Sequence, residues 1–178
     1  MYDVHAFVTP RGQMNAATEH TFLFADLVGY TAFTERVGDD VAADVAVAFQ
    51  AAAERVTAQC GCEVIKNLGD AVMIHGDDAT RVVALALRLR RELADEGWCP
   101  PLRMGVHSGS AVQRGEDWYG STVNVAARVT DAAGAGEILL SLTTRERIAR
   151  AGVTIADRGA RNFKNVTAPL ALFSAAAA

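Results

Sequence analysis

Residues 62–76, CEVIKNLGDAVMIHG, read as two apolar runs, Cys62–Asn67 and Ala71–Gly76, folded back on each other around Leu68-Gly69. A glycine between two β-rich runs is a hairpin signal. On its N-terminal side, Val41, Val45, Ala48, Phe49, Ala52 and Val56 recur at helical spacing, which predicts a helix over Asp39–Gln59 opened by the acidic Gly38-Asp39-Asp40. Before that helix, Thr21–Val28 reads as a short apolar strand. On the C-terminal side, Val82, Val83, Ala86, Leu89 and Leu93 form one stripe, which predicts a helix over Thr80–Glu96. Leu102–His107 and Ala111–Gln113 then read as a second hairpin turning through Ser108-Gly109-Ser110. The order is β-α-β-β-α-β. It predicts an α+β fold of the ferredoxin-like, split βαβ kind: an antiparallel sheet with helices on one face. Further elements predict a C-terminal α/β extension. These are a helix over Tyr119–Ala132, a strand over Ile138–Ser141, a short helix over Thr143–Arg150, and two or three short strands from Val153 to Phe173.

The chain has 178 residues, 51% hydrophobic and 21% charged, with a formal net charge of −4. One globular domain follows, and a broad basic face for nucleic acid does not. The expected organisation is a leader over 1–18, one folded domain over 19–174 and a frayed alanine tail over 175–178. No run approaches the ~20 apolar residues of a membrane span, and the start has no signal-peptide core, so the chain reads as cytoplasmic. Cys60, Cys62 and Cys99 are odd in number and form no CxxC pair. They read as small core residues rather than disulfide or zinc ligands.

Two carboxylates stand out. Asp26 follows an apolar run in FADLVGYT (24–31), and Asp70 closes the turn in KNLGD (66–70). The predicted hairpin brings Asp70 to the end of the first strand, where both can share one metal site. Few protein carboxylates, with room for water and phosphate oxygens, suit magnesium. This points to an enzyme acting on a nucleoside triphosphate.

FADLVGYT, KNLGDAV, RMGVHSG and DWYGSTVNVAAR occur in that order and at fitting distances. Together they resemble the catalytic domain of the class III nucleotidyl cyclases, the adenylate/guanylate cyclase family, over roughly residues 20–174. The resemblance implies conversion of ATP to 3′,5′-cyclic AMP and pyrophosphate by in-line attack of the ribose 3′-OH on the α-phosphate, assisted by two Mg²⁺ or Mn²⁺ ions. Asp26 and Asp70 match the metal-binding aspartates, with the backbone carbonyl of Leu27 as a further ligand by analogy. Lys66 and Asp117 match the purine-selecting positions. Lysine and aspartate there go with adenine, lysine donating to N1 and the carboxylate accepting from the N6 amino group, whereas glutamate and cysteine go with guanine. Glu116 is a competing alignment for Asp117.

Asn124 and Arg128, four apart on one helix face, match the ribose-orienting and transition-state-stabilising residues. Arg103 matches an arginine that contacts the polyphosphate. Lys164 sits where the family often has Lys-Gly contacting the terminal phosphate; here Asn165 replaces the glycine. His107 reads as structural rather than as a general base, and Trp118 and Tyr119 read as core.

In the family each active site takes its metal aspartates and arginine from one chain and its base-, ribose- and phosphate-binding residues from the other. A chain with the complete set implies a homodimer with two shared sites, and the short loop between 113 and 119 shortens the arm that longer family members use to grip the partner, which weakens association. Two other readings stay open: a non-catalytic nucleotide-binding regulator of the same fold, and a cyclase for another base.

Overall fold

A computed structural model describes residues 19–149 and 152–178; the expected leader over 1–18 lies outside the described residues. The split βαβ order is present. Strand β1 (Glu19–Leu27) is followed by helices α1 (Tyr30–Val37) and α2 (Asp39–Gln59), strands β2 (Glu63–Asn67) and β3 (Ala71–Gly76), helix α3 (Ala79–Glu96) and strand β4 (Leu102–Ser110). β1 pairs antiparallel with both β3 and β4, and β2 edges β3. The extension continues with β5 (Val112–Arg114), β6 (Asp117–Tyr119), α4 (Ser121–Ala132), β7 (Ile138–Ser141), α5 (Leu142–Arg147), β8 (Val153–Arg161) and β9 (Leu170–Ala177). β7 adds to β4 in parallel, and β9 and β8 complete a mixed, mostly antiparallel seven-stranded sheet in the order β2-β3-β1-β4-β7-β9-β8.

Alternation along β1 divides the core in two. Leu23, Ala25 and Leu27 pack with Phe49 and Val56 of α2 and Val82, Val83 and Leu89 of α3. Phe22, on the other face, packs with Met73, Trp118 and Ala126. α2 and α3 therefore cover one face of the split βαβ sheet, and α4 of the extension covers the opposite face. Burial on both sides explains why β1 and β3 are nearly continuous apolar runs rather than alternating ones. Among the described residues no helix is long and apolar enough to cross a membrane.

Three sequence expectations are corrected. The hairpin through Ser108-Gly109-Ser110 does not form. β4 runs straight to Ser110, and the β5–β6 ribbon forms instead, with Val112, Gln113 and Arg114 opposite Tyr119, Trp118 and Asp117. Gly109 is there for space: a Cβ at that position would lie 2.9 Å from Thr122 Oγ1. The alanine tail is not frayed, since Ala175, Ala176 and Ala177 pair with Ile155, Thr154 and Val153, and Ala175 is buried. The last third holds two long strands, not two or three short ones. Helix α1 was not anticipated. It has no buried residue and is set up by Gly29 in the left-handed region at φ 72°, where glycine carries no Cβ penalty.

Candidate active site

Asp26 lies at the C-terminal end of β1, opposite Ala71 and Arg103 on its two neighbouring strands. Just beyond it, the Leu27 N–H donates to the Asp70 carbonyl at 3.0 Å. That bond fastens the β2–β3 turn to the strand end. Gly69 sits in the turn at φ 79°, and its carbonyl accepts from Gln50 of α2 at 2.7 Å. The sequence-predicted trio Asp26, Leu27 and Asp70 is thus brought together by one backbone hydrogen bond and one helix side chain.

The Asp26 side chain is only 16% exposed. Burial pushes its carboxyl above the ordinary carboxylate value, opposed by the Arg103 guanidinium and reinforced by the negative charges of Asp70 and Asp131. Arg103 Nε donates to Asp26 Oδ2 at 2.6 Å, and Arg103 Nη2 approaches the same oxygen at 2.5 Å. Arg103 supplies one positive charge to the buried Asp26 carboxylate, and the two carboxylates with the Leu27 backbone carbonyl are hard oxygen donors of the kind that fit a magnesium-class ion. Arg103, expected on the polyphosphate, is bonded here to Asp26. Its guanidinium also lies 3.9 Å from Asp131, which lies 3.5 Å from Arg128. Asp131 was missed in the sequence, where an aspartate three residues after an arginine looks like an ordinary helix-surface pair.

Lys66 and Asp117 are 51 positions apart, yet Lys66 Nζ donates to Asp117 Oδ2 at 2.8 Å. The lysine hydrogen bond, helped by the Trp118 N–H at 2.8 Å, holds Asp117 below the usual carboxylate range. The pairing favours Asp117 over Glu116 as the carboxylate that accompanies Lys66. Asn124 and Arg128 line a cleft of about 360 Å³ together with Lys164 and Asn165. Asn165 lies at φ 65°, alone among the described non-glycine residues in having positive φ. Asparagine tolerates that left-handed conformation better than most residues, so Asn165 can hold a positive φ that glycine would adopt freely.

α4 carries Asn124 and Arg128 and is seated by contact with β4. A Cβ at Gly105 would lie 2.2 Å from the backbone nitrogen of Thr130, so only glycine permits this approach. A glycine inside a strand pattern is the sequence signal that could have revealed it. Among the described residues, no hydrogen bond or ion pair joins Asp26 or Asp70 to Lys66, Asp117, Asn124 or Lys164.

His107 Nδ1 lies 2.8 Å from Ser141 Oγ and 3.3 Å from Thr143 Oγ1. Burial pushes its pKa down to about 4, so the ring is neutral at pH 7 and is tied up in a hydroxyl network. Trp118 is core as expected, whereas Tyr119 is exposed. The three cysteines are free, and burial raises the Cys62 and Cys99 thiols to about 11.

The fold is an α+β domain that carries an acidic group, Asp26 and Asp70, at the C-terminal end of β1, the Lys66–Asp117 pair between β2 and β6, and a cleft lined by Asn124, Arg128 and Lys164. The chain belongs to the adenylate and guanylate cyclase catalytic domain family, whose model matches residues 13–171. It is 34% identical over 127 residues to an adenylate cyclase of Streptomyces coelicolor, covering 71% of this chain and 33% of that protein. It is 35% identical over 161 residues to a pH-sensitive adenylate cyclase of Mycobacterium tuberculosis, covering 88% of this chain and 40% of that protein. The chain therefore spans between a third and two fifths of the length of these two relatives. The adenylyl cyclase CyaB of P. aeruginosa shares the fold with a TM-score of 0.82 at 23% identity, covering 90% of this chain and 94% of that one.

Proposed function

We propose that the protein is an adenylate cyclase acting as a homodimer, converting ATP to 3′,5′-cyclic AMP and pyrophosphate. The observation that carries the adenine assignment is the 2.8 Å pair between Lys66 and Asp117. It presents a donor and an acceptor together, which suits adenine N1 and N6 and mismatches the N1–H and O6 of guanine. In the reaction the ribose 3′-OH gives up its proton, which ends in solvent, and its oxygen bonds to the α-phosphorus; the bond from that phosphorus to the α,β-bridging oxygen breaks, and pyrophosphate leaves with the electron pair. Asp26, Asp70 and the Leu27 carbonyl would hold two Mg²⁺ or Mn²⁺ ions, which when bound supply charge neutralisation and activation of the 3′-OH.

The chain's own groups do the rest. Asn124 orients the ribose. Arg128 meets the charge that develops on the phosphoryl oxygens, from a rigid helix where it costs no reorganisation. Arg103 exchanges its Asp26 contact for the polyphosphate, and Lys164 binds the terminal phosphate. Each site would draw Asp26, Asp70 and Arg103 from one copy and Lys66, Asp117, Asn124, Arg128 and Lys164 from the other, as the likeness to this cyclase family implies; within one copy Arg128 meets Arg103 only through Asp131, at 3.5 and 3.9 Å. The experiment is a product assay with ATP and Mn²⁺ across protein concentrations, alongside GTP, CTP and UTP. The proposal expects cyclic AMP with specific activity rising with concentration as dimers form. ATP binding without cyclic product, or faster turnover of another triphosphate, would overturn it.

A further inference from the structure

At the other end of β1, His20, His75 and Asp77 gather one donor atom each. His20 Nδ1 lies 3.0 Å from His75 Nε2 and 3.1 Å from Asp77 Oδ1, and His75 Nε2 lies 3.5 Å from the same carboxylate oxygen. Four-coordinate zinc, with nitrogen and oxygen ligands at about 2.0–2.2 Å, separates neighbouring ligand atoms by roughly 3.3 Å. The three observed edges bracket that value, so the atoms outline one face of a tetrahedron.

The surroundings are built as a metal site requires. Glu63 Oε1 lies 2.7 Å from His75 Nδ1. The ring donates to that carboxylate and turns the lone pair of Nε2 toward His20 and Asp77, the carboxylate–histidine arrangement that orients a ligating imidazole. Trp118 stacks on His75 at 4.4 Å and 26°, and its centroid lies 4.3 Å from that of His20. Phe22 packs on His75 from 5.2 Å. The His20 and His75 side chains are 11% and 6% exposed, whereas that of Asp77 is 78% exposed. The histidines are thus fixed, and the carboxylate faces the solvent from which an ion would enter.

We propose that His20, His75 and Asp77 form a binding site for a zinc-class divalent transition-metal ion, distinct from the Asp26/Asp70 site. Six residues of strand separate His20 from Asp26, roughly 20 Å along β1. Two imidazoles and one carboxylate select zinc, cobalt, nickel or copper over magnesium, which prefers an all-oxygen set. Three protein ligands leave a fourth position for water. Glu63 acts as a positioning residue through His75. The site joins the ends of β1 and β3 beneath Trp118, the residue after Asp117.

The test titrates the full chain with buffered Zn²⁺ in excess Mg²⁺, which occupies oxygen-rich sites, and follows the visible absorption of Co²⁺ as a coordination probe. One zinc per chain and tetrahedral-type cobalt bands are expected. Asp77→Asn and His75→Gln should each weaken zinc by at least about tenfold, and Glu63→Gln by about 10–100-fold. Asp26→Asn and the Cys62→Ser variant should leave zinc binding unchanged. If His75→Gln loses its fold by circular dichroism, the exposed Asp77→Asn variant decides. The proposal is overturned by the lack of stoichiometric binding, by binding that survives Asp77→Asn undiminished, or by binding that disappears with Cys62→Ser.

Discussion

Gly105→Ala tests how the fold aims the chemistry without touching a substrate-directed group. The new Cβ would meet Thr130 at 2.2 Å from its nitrogen and 2.6 Å from its Cα. These are helix backbone atoms, so no side-chain rotation relieves the clash, and α4 must retreat by roughly an ångström to restore ordinary contact. Overpacking of this kind costs about 1–3 kcal/mol, and for a domain of this size about 2 kcal/mol lowers Tm by roughly 4–8 °C. Because α4 carries Asn124 and Arg128, a shift of about 1 Å should also cut kcat by about 10²-fold. Thermal unfolding and cyclic AMP production, measured on the same preparation, read the two effects. A variant with wild-type Tm and turnover would refute the claim that close β4–α4 contact seats the site.

Three further outcomes are expected. Arg128→Ala should lower kcat by about 10³-fold or more if the guanidinium stabilises transition-state charge; a loss below about tenfold in the steady-state assay would count against that role. Lys66→Glu combined with Asp117→Cys should raise the ratio of GTP to ATP turnover by about tenfold or more, and an unchanged ratio would remove the pair from base selection. His107 has a folded pKa of about 4, below its ordinary value of about 6.5. Its contribution is therefore fully present above pH 6.5 and is lost as pH falls toward 4, on the order of 3 kcal/mol. His107→Gln should flatten the stability profile in that window, as measured by urea unfolding at several pH values; an equal slope would show that other groups set it.

Much of the fold was legible because apolar spacing and element type agree. The helix Asp39–Gln59 and the strand Ile138–Ser141 follow from periodicity and length alone. The failures share a cause: local signals overruled by tertiary contacts. Ser108-Gly109-Ser110 resembles a turn, but Gly109 makes room for Thr122, so the strand runs through it. The terminal alanines lack any strong signal and become a strand only because β8 pairs with them. Tyr30–Val37 buries no residue fully, so its stripe is faint. The candidate site residues stand out through their short motifs, but their pairing does not. Nothing local says that Lys66 meets Asp117, that Arg103 is held by Asp26, or that His20 faces His75 and Asp77. Register of β1 against β3 and β4 sets the Arg103–Asp26 and His20–His75 contacts, and packing of the separate β5–β6 ribbon on the main sheet, through Trp118 against Phe22 and Met73, sets the Lys66–Asp117 contact.

The central claim is a cyclase site completed by two copies of this chain. Its most direct test mixes Asp26→Ala protein with Asn124→Ala protein, each inactive alone. Random exchange makes half the dimers mixed, each with one intact site, so about a quarter of wild-type cyclic AMP production should return. Mixed dimers demonstrated by tagged co-purification yet yielding no cyclic AMP would contradict the shared site.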